Sequence, residues 1–511
     1  MQAQTATFWI AASLSLLAIT SGVAVAAINI PFTINLSETV TVTGTPRISV
    51  DVGGNQRFAN YTSGTGTNAL TFTLSPTIGD VDLDGITVSS PIDLNGGTIK
   101  DTSGNDATLT FTPPNTAGIK VNYPSLGMDF TNGTAGRYTL NGTAYNDLSS
   151  FLTASGGTFA RNSIATYYDS TGILKTASAN TPRFDYDPVT HAAKGILIEE
   201  NRTNIIRSSE AFSGTGWVVD GAILNVGGTT PSGGSNATSI SKGSGNNRIY
   251  CFDNSGVTGS KIFSIFVKSN AGNTFSVSAV GGLSPSGITS INTSTGMITS
   301  SNPATTSTAI GNGWFRLTIQ VSVLTASGNS TYWQISGPLD SIFIWGAQFE
   351  QGTFATSYIP TTTAAVTRAA DILLVPMQPA IGITSGTSFI HGNLGRGGYQ
   401  IAGNSVYLDL LGTDNTGMAG FARNSTGNIL VAPPLSGKSK FAAAYGGGKS
   451  YTIADGGPIN SANGIPDLSS NSILHLGTKF DAGAAFINNT IRRFNYYPLL
   501  LENTQLQLLT Q

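Results

Sequence analysis

Charge is the scarcest commodity in this sequence. Of 511 residues, 25 are Lys or Arg and 27 are Asp or Glu, so charged residues make up 10% of the chain, against about 25% in an average soluble protein. Formal net charge is −2, and no long Lys/Arg cluster stands ready to neutralise a phosphate backbone, which argues against a nucleic-acid partner. Cysteine is nearly absent: with Cys251 alone, neither an intrachain disulfide nor a multi-thiolate metal site can form. The three histidines, His191, His391 and His475, lie far apart and have no metal-type partner at i+2 or i+4, so they read as surface or sheet-lining residues. "YGGGKSYT" (445–452) lacks the glycine that a phosphate loop needs five residues before Gly448, where Ala443 stands, and it reads instead as a glycine-rich hairpin.

What the chain does have is glycine, 62 residues, and an apolar fraction of 40%, enough for hydrophobic cores beneath an uncharged polar surface. Its length exceeds what one core supports, and about two to four domains are expected.

Beyond residue 30 the dominant signal is alternation with period two. "FTINL" places Phe32, Ile34 and Leu36 on one face, "RISVDV" does so with Ile48, Val50 and Val52, and "ALTFTL" with Leu70, Phe72 and Leu74. Asn95-Gly96, Asn132-Gly133 and Asn141-Gly142 supply residues that tolerate positive φ at hairpin corners. Short strands with such turns make sandwiches or barrels. In "WFRLTIQVSV", Phe315, Leu317, Ile319, Val321 and Val323 all point one way and predict a packed sheet face. "KIFSIFVKS" and "SIFIWGAQFE" are apolar on both faces, which suits central strands covered on both sides. The aromatic density of residues 342–349 is then explained by burial rather than by a ligand.

The predicted fold class is all-β, a tandem of β-sandwiches with an apolar N-terminal helix. An immunoglobulin-like sandwich is expected at 30–128, ending where Pro113-Pro114 stops a strand. A connecting segment follows at 129–200, then a jelly-roll, carbohydrate-binding-like sandwich at 201–370. A concanavalin or laminin-G-like sandwich closes the chain at 371–511. Residues 8–28, "FWIAASLSLLAITSGVAVAAI", carry no charge and are long enough to span a bilayer as a helix. The segment 1–29 admits three readings: a signal peptide with a small-residue site at Ala24-Val25-Ala26, a membrane anchor, or a docking helix buried in an assembly. Near the other end, Glu502 with Gln505 at the N3 spacing and Leu506 and Leu509 on one side predicts a short helix.

Chemistry-bearing patterns are few. "GDVDLDG" places Asp80, Asp82 and Asp84 before Gly85 like the first half of a calcium loop, but the twelfth position is Pro91 rather than Glu. A calcium ion between sandwich loops, with Asp101 as a further ligand, stands beside the plainer reading of a solvated acidic turn. Glu199 and Glu200 are adjacent and so point to opposite faces of a strand, a poor carboxylate pair for glycoside hydrolysis. For sugar recognition the candidates are Trp217, Tyr332 and Trp333, aromatics that alternation does not assign to a core face; a sandwich interior would use them equally well.

Three longer stretches carry more than composition: "NSIATYYDSTGILKTASANTPRFDYDPVTHAAKGILIEENRTNIIRSSEAF", "IGNGWFRLTI" and "SIFIWGAQFEQGTFATSYIPTTTAAVTRAAD". Over about 159 to 371, in this order and spacing, the chain resembles a module common in tailed-phage and prophage virion proteins, the tail fibre and head spike fibre group. The C-terminal part, ending "IRRFNYYPLLLENTQLQLLT", is similar to the concanavalin-like partner module of those proteins, and the N-terminal sandwich is similar to bacterial immunoglobulin-like repeats. The resemblance implies a non-enzymatic virion component, a fibre, spike or decoration on the virion surface. Its partners would be other virion proteins, host-surface glycans and further copies of itself, a trimer by fibre analogy. It brings no catalytic motif. Two other classes stay open: an exported, prophage-encoded adhesin of the bacterial envelope, and an enzyme that degrades surface polysaccharide.

Overall fold

The computed structural model describes residues 7–9, 29–131, 138–253, 255–271, 273–324, 331–336, 341–377, 380–382, 384–394, 399–402, 407–413, 417–424, 427–430, 439–465, 472–477 and 486–511. Their regular structure is nearly all strand, with two α-helices among the described residues, α1 (Leu148–Ser155) and α2 (Asn503–Thr510). The chain divides into two compact units. The first comprises Met1–Thr158, Leu373–Ile487 and Ile491–Gln511; the second is Phe159–Ile372 with Asn488–Thr490.

In the first unit, the N-terminal sheet is organised by one 14-residue strand, Ile30–Thr43. Its first half pairs with Thr67–Leu74, and after a register shift between Asn35 and Val40 its second half pairs with Thr98–Asp101. The alternating residues read from sequence, Phe32, Ile34, Ile48, Val50, Val52, Leu70 and Phe72, are all fully buried in one core. Of the expected N-terminal helix, Thr7–Trp9 instead form a strand antiparallel to Thr33–Asn35. The rest of that segment, 1–6 and 10–28, lies outside the described residues, as does the Asn132-Gly133 turn. Among the described residues no helix is long and apolar enough to cross a membrane.

The second half of this unit draws on distant parts of the chain. Thr143–Tyr145, Tyr138–Leu140 and Leu126–Asp129 run on to Asn489–Tyr497, Gly386–Gly392, Lys440–Gly446 and Lys449–Ala454 in one antiparallel sheet. Part of the segment expected to be a connector is therefore sheet. It also contains α1, where Asp147 caps by accepting from the Ser150 amide at 2.8 Å and Gly156 closes the helix in the left-handed region. The glycine-rich hairpin forms as read, with Gly446 opposite Lys449 and both Gly447 and Gly448 at positive φ.

The second unit is a two-sheet sandwich. One sheet orders its strands Trp217–Asp220, Arg248–Phe252, Thr331–Ser336, Thr274–Gly281, Gly287–Asn292, Ile298–Ser301. The other runs Ile223–Gly228, Ala237–Ser241, Ile342–Gln351, Gly259–Ser269, Trp314–Val323, Leu283–Ser284, with Thr305–Ala309 also pairing on Trp314–Val323. Leu317, Ile319, Val321 and Val323 bury in the shared core, where they meet Ile249, Phe275, Val277 and Ile335 of the facing sheet. The two strands apolar on both faces, Gly259–Ser269 and Ile342–Gln351, sit centrally and pair with each other. A second apolar cluster, containing Phe266, Trp314, Trp345 and Tyr358, lies on their other side, so both faces are covered.

A candidate carbohydrate-binding face

The six-stranded sheet of the second unit shows how alternation builds a site. Core packing takes Ile249 and Cys251, Trp333 and Ile335, and Phe275, Val277 and Ala279. Their neighbours must then project from the opposite face. Register sets Phe252 opposite Tyr332 and Tyr250 opposite Gln334, with Arg248 opposite Ser336. On the next strand Val280 faces Tyr332, Ser278 faces Gln334 and Ser276 faces Ser336.

Two zones result. At one end Tyr250, Phe252 and Tyr332, each half-buried, form a ring triad with centroids 5.4, 5.5 and 5.7 Å apart. Beside it runs a chain of polar groups. Arg248 Nε donates to Asp220 Oδ2 and Arg248 Nη1 to Gln334 Oε1, both at 2.9 Å, while Asn246 Nδ2 reaches Asp220 Oδ2 at 2.7 Å. Gln334 Nε2 donates to Ser336 Oγ at 3.3 Å, and the Ser276 and Ser290 hydroxyls share a bond of 2.8 Å. Hydrogen bonds from Asn246 and Arg248 hold the Asp220 carboxyl below the usual range, so this ion pair stays charged at neutral pH and adds no net charge. Aromatic surface beside hydrogen-bonding groups of no net charge is the chemistry that accepts a sugar, whose ring faces are apolar and whose rim is hydroxyl.

Of the three aromatics singled out from sequence, only Tyr332 is on this face. Trp333, its neighbour, is 1% exposed and stacks on Phe263 at 4.4 Å. Trp217 is 8% exposed, packs on Phe212 at 4.9 Å, and its Nε1 donates to the Ser208 carbonyl. Both tryptophans are core residues, because alternation gives successive residues to opposite faces. Tyr250 and Phe252 escaped the sequence reading; "RIYCF" shows the alternation, but only strand pairing reveals that it lies beside Tyr332.

The acidic residues proposed for calcium are engaged by the protein itself. Asp80 pairs with Arg57 at 2.6 Å and accepts from the Thr77 amide. Asp82 accepts from the Gly53 and Gly85 amides, Asp84 from Gln505 Nε2, and Asp101 from the Ser103 and Asn105 amides. Among the described residues no group of three or more His, Cys, Asp or Glu is placed to hold a metal ion. These carboxylates fasten loops.

The first and third of the long stretches quoted from the sequence meet, together with Arg161, in a buried ionic network. Arg161 Nη1 donates to Asp371 Oδ1 at 2.9 Å, Arg183 bonds both Asp371 and Glu199, and Arg368 Nη1 reaches Glu199 Oε2 at 2.8 Å. Ser357 adds its amide and hydroxyl to Glu199 at 2.7 and 2.6 Å. Burial alone would raise the Glu199 carboxyl, but Arg368 and Arg183 outweigh it and hold it at about 2. A carboxylate so held cannot serve as a general acid near neutrality. Glu200 turns away to Arg202, so the adjacent pair is no catalytic dyad.

No protein-family model matches the chain, and no curated protein matches it.

Proposed function

We propose that the chain is a non-enzymatic virion protein, a fibre, spike or decoration of a tailed phage or prophage, that binds host-surface glycans through the outer face of its six-stranded sheet. The observation that carries the binding part is the Tyr250, Phe252 and Tyr332 triad set beside the Arg248, Gln334 and Asp220 chain. The virion part rests on the resemblance of residues 159–371. In this reading the N-terminal sheet is an immunoglobulin-like stalk element, the second unit a jelly-roll lectin, and the C-terminal sheets a concanavalin-like partner. Single sugar contacts on such a face are weak, and a trimer would multiply them.

The test is binding of the purified full chain to neutral polysaccharides by affinity electrophoresis and calorimetry, with the double variant Tyr250→Ala/Tyr332→Ala beside it. Both side chains are only half-buried, so the variant is expected to fold and to lose roughly tenfold or more in affinity, as base- and sugar-stacking aromatics do on truncation. Unchanged affinity in the folded variant would remove this face from the account.

A further inference from the structure

A second feature of the sandwich unit lies on its other sheet, away from the aromatic face. Phe266 and Arg316, on the strands Gly259–Ser269 and Trp314–Val323, line a cavity of about 160 Å³ together with Tyr168, Tyr358, Asp185 and Lys194. A cavity near 150 Å³ accommodates a six-membered ring, and three of these lining residues, Tyr168, Tyr358 and Phe266, are aromatic.

The cavity is lined by two charges of each sign, Asp185, Glu199, Lys194 and Arg316, and they are not all paired with one another. Glu199, at its edge, is bonded to Arg183 and Arg368. Asp185 faces Lys194 at 3.7 Å. Arg316 alone has no carboxylate partner among the described residues. Its Nη2 donates to Ser264 Oγ at 2.9 Å, and its guanidinium lies over the Phe266 ring at 5.4 Å. The natural complement is an anionic acceptor, since arginine bonds carboxylates with charge-assisted geometry.

From this we infer that the cavity binds a carboxylate-bearing sugar residue of pyranose size, with Arg316 as its counter-charge and the Tyr168, Tyr358 and Phe266 rings as its walls. Asp185, which also lines the cavity, accepts from the sugar hydroxyls. The inference does not depend on the outer sheet face, whose ion pair leaves it suited to neutral sugars; acidic and neutral residues of one glycan would engage different places on the same unit.

Calorimetry and ligand-observed NMR on the full chain test it with D-glucuronate, D-glucose and acetate, each up to about 50 mM, which covers millimolar affinities. Glucuronate is expected to bind, with glucose and acetate each weaker by roughly tenfold or more, because each lacks either the charge or the ring. Arg316→Met should lose that binding and Arg316→Lys should keep part of it, whereas Tyr250→Ala/Tyr332→Ala should leave it intact. Acetate binding as well as glucuronate would show a plain carboxylate site and overturn the sugar assignment. Equal binding of glucose and glucuronate, no glucuronate binding by the wild-type chain, or loss in the outer-face variant rather than in Arg316→Met would overturn the site itself. The comparison of the three ligands on the wild-type chain stands even where a variant fails to fold.

Discussion

Tyr332 and Trp333 are neighbours in sequence with opposite tasks, one on the sheet surface and one stacked in the core. Sequence named both as sugar candidates because aromatic identity alone carries no parity; only the packing of Ile335 and Ile249 fixes which face is inside. The same limit hid the ionic network, since Arg161, Arg183, Glu199, Arg368 and Asp371 are scattered over more than two hundred positions and nothing local links them. Glu199 offers a direct check. Breaking one side of a buried, hydrogen-bonded pair costs about 3–5 kcal/mol, so Glu199→Gln should lower the unfolding free energy by that order in denaturant titrations. The pH dependence follows from the sign of the shift. The Glu199 carboxyl sits at about 2 when folded against 4.5 as the ordinary value, so its contribution is full above pH 4.5 and is lost as pH falls toward 2. The wild-type chain should lose stability over that interval more steeply than Glu199→Gln, and parallel acid limbs for the two would contradict the assignment.

At the scale of elements, the strand Ile342–Gln351 was legible as central, and it lies between Ala237–Ser241 and Gly259–Ser269. Its irregularity was not. Gly346 has φ +59°, where the register against Gly259–Ser269 shifts, and a Cβ there would stand 2.8 Å from Phe266 Cδ2 and 3.2 Å from Tyr358 Cε2. Gly346→Ala must therefore bear both left-handed strain, about 1–2 kcal/mol, and a clash with two packed rings. Equilibrium unfolding should show a loss above ~1 kcal/mol, and a neutral result would mean the strand can straighten. The C-terminal helix α2 forms as read, with Leu506 and Leu509 buried, yet Gln505 does not close a capping box. It bonds the Leu83 amide at 2.8 Å and Asp84 at 2.7 Å instead, a tertiary use of a residue whose spacing suggested a local one. Helix α1 went unread because eight residues give too little periodicity, although Asp147 and Gly156 marked both its ends.

For the whole molecule, all-β character followed from alternation and turn chemistry, while the partition of the chain did not. The first unit is built from both ends of the sequence, and Leu126–Asp129 pairs with Arg493–Tyr496 across more than 360 positions. Period-two patterns say that a strand exists and which side is apolar; they do not name its partner. The central claim, a virion protein that presents a glycan-binding face, is tested most directly by peptide mass spectrometry. Density-banded virions from the source culture would be compared with its envelope and supernatant fractions, with coverage of the first thirty residues. The account predicts that the chain bands with capsids. Recovery only from envelope or supernatant, beginning near Ala27, would contradict it and leave an exported adhesin in its place.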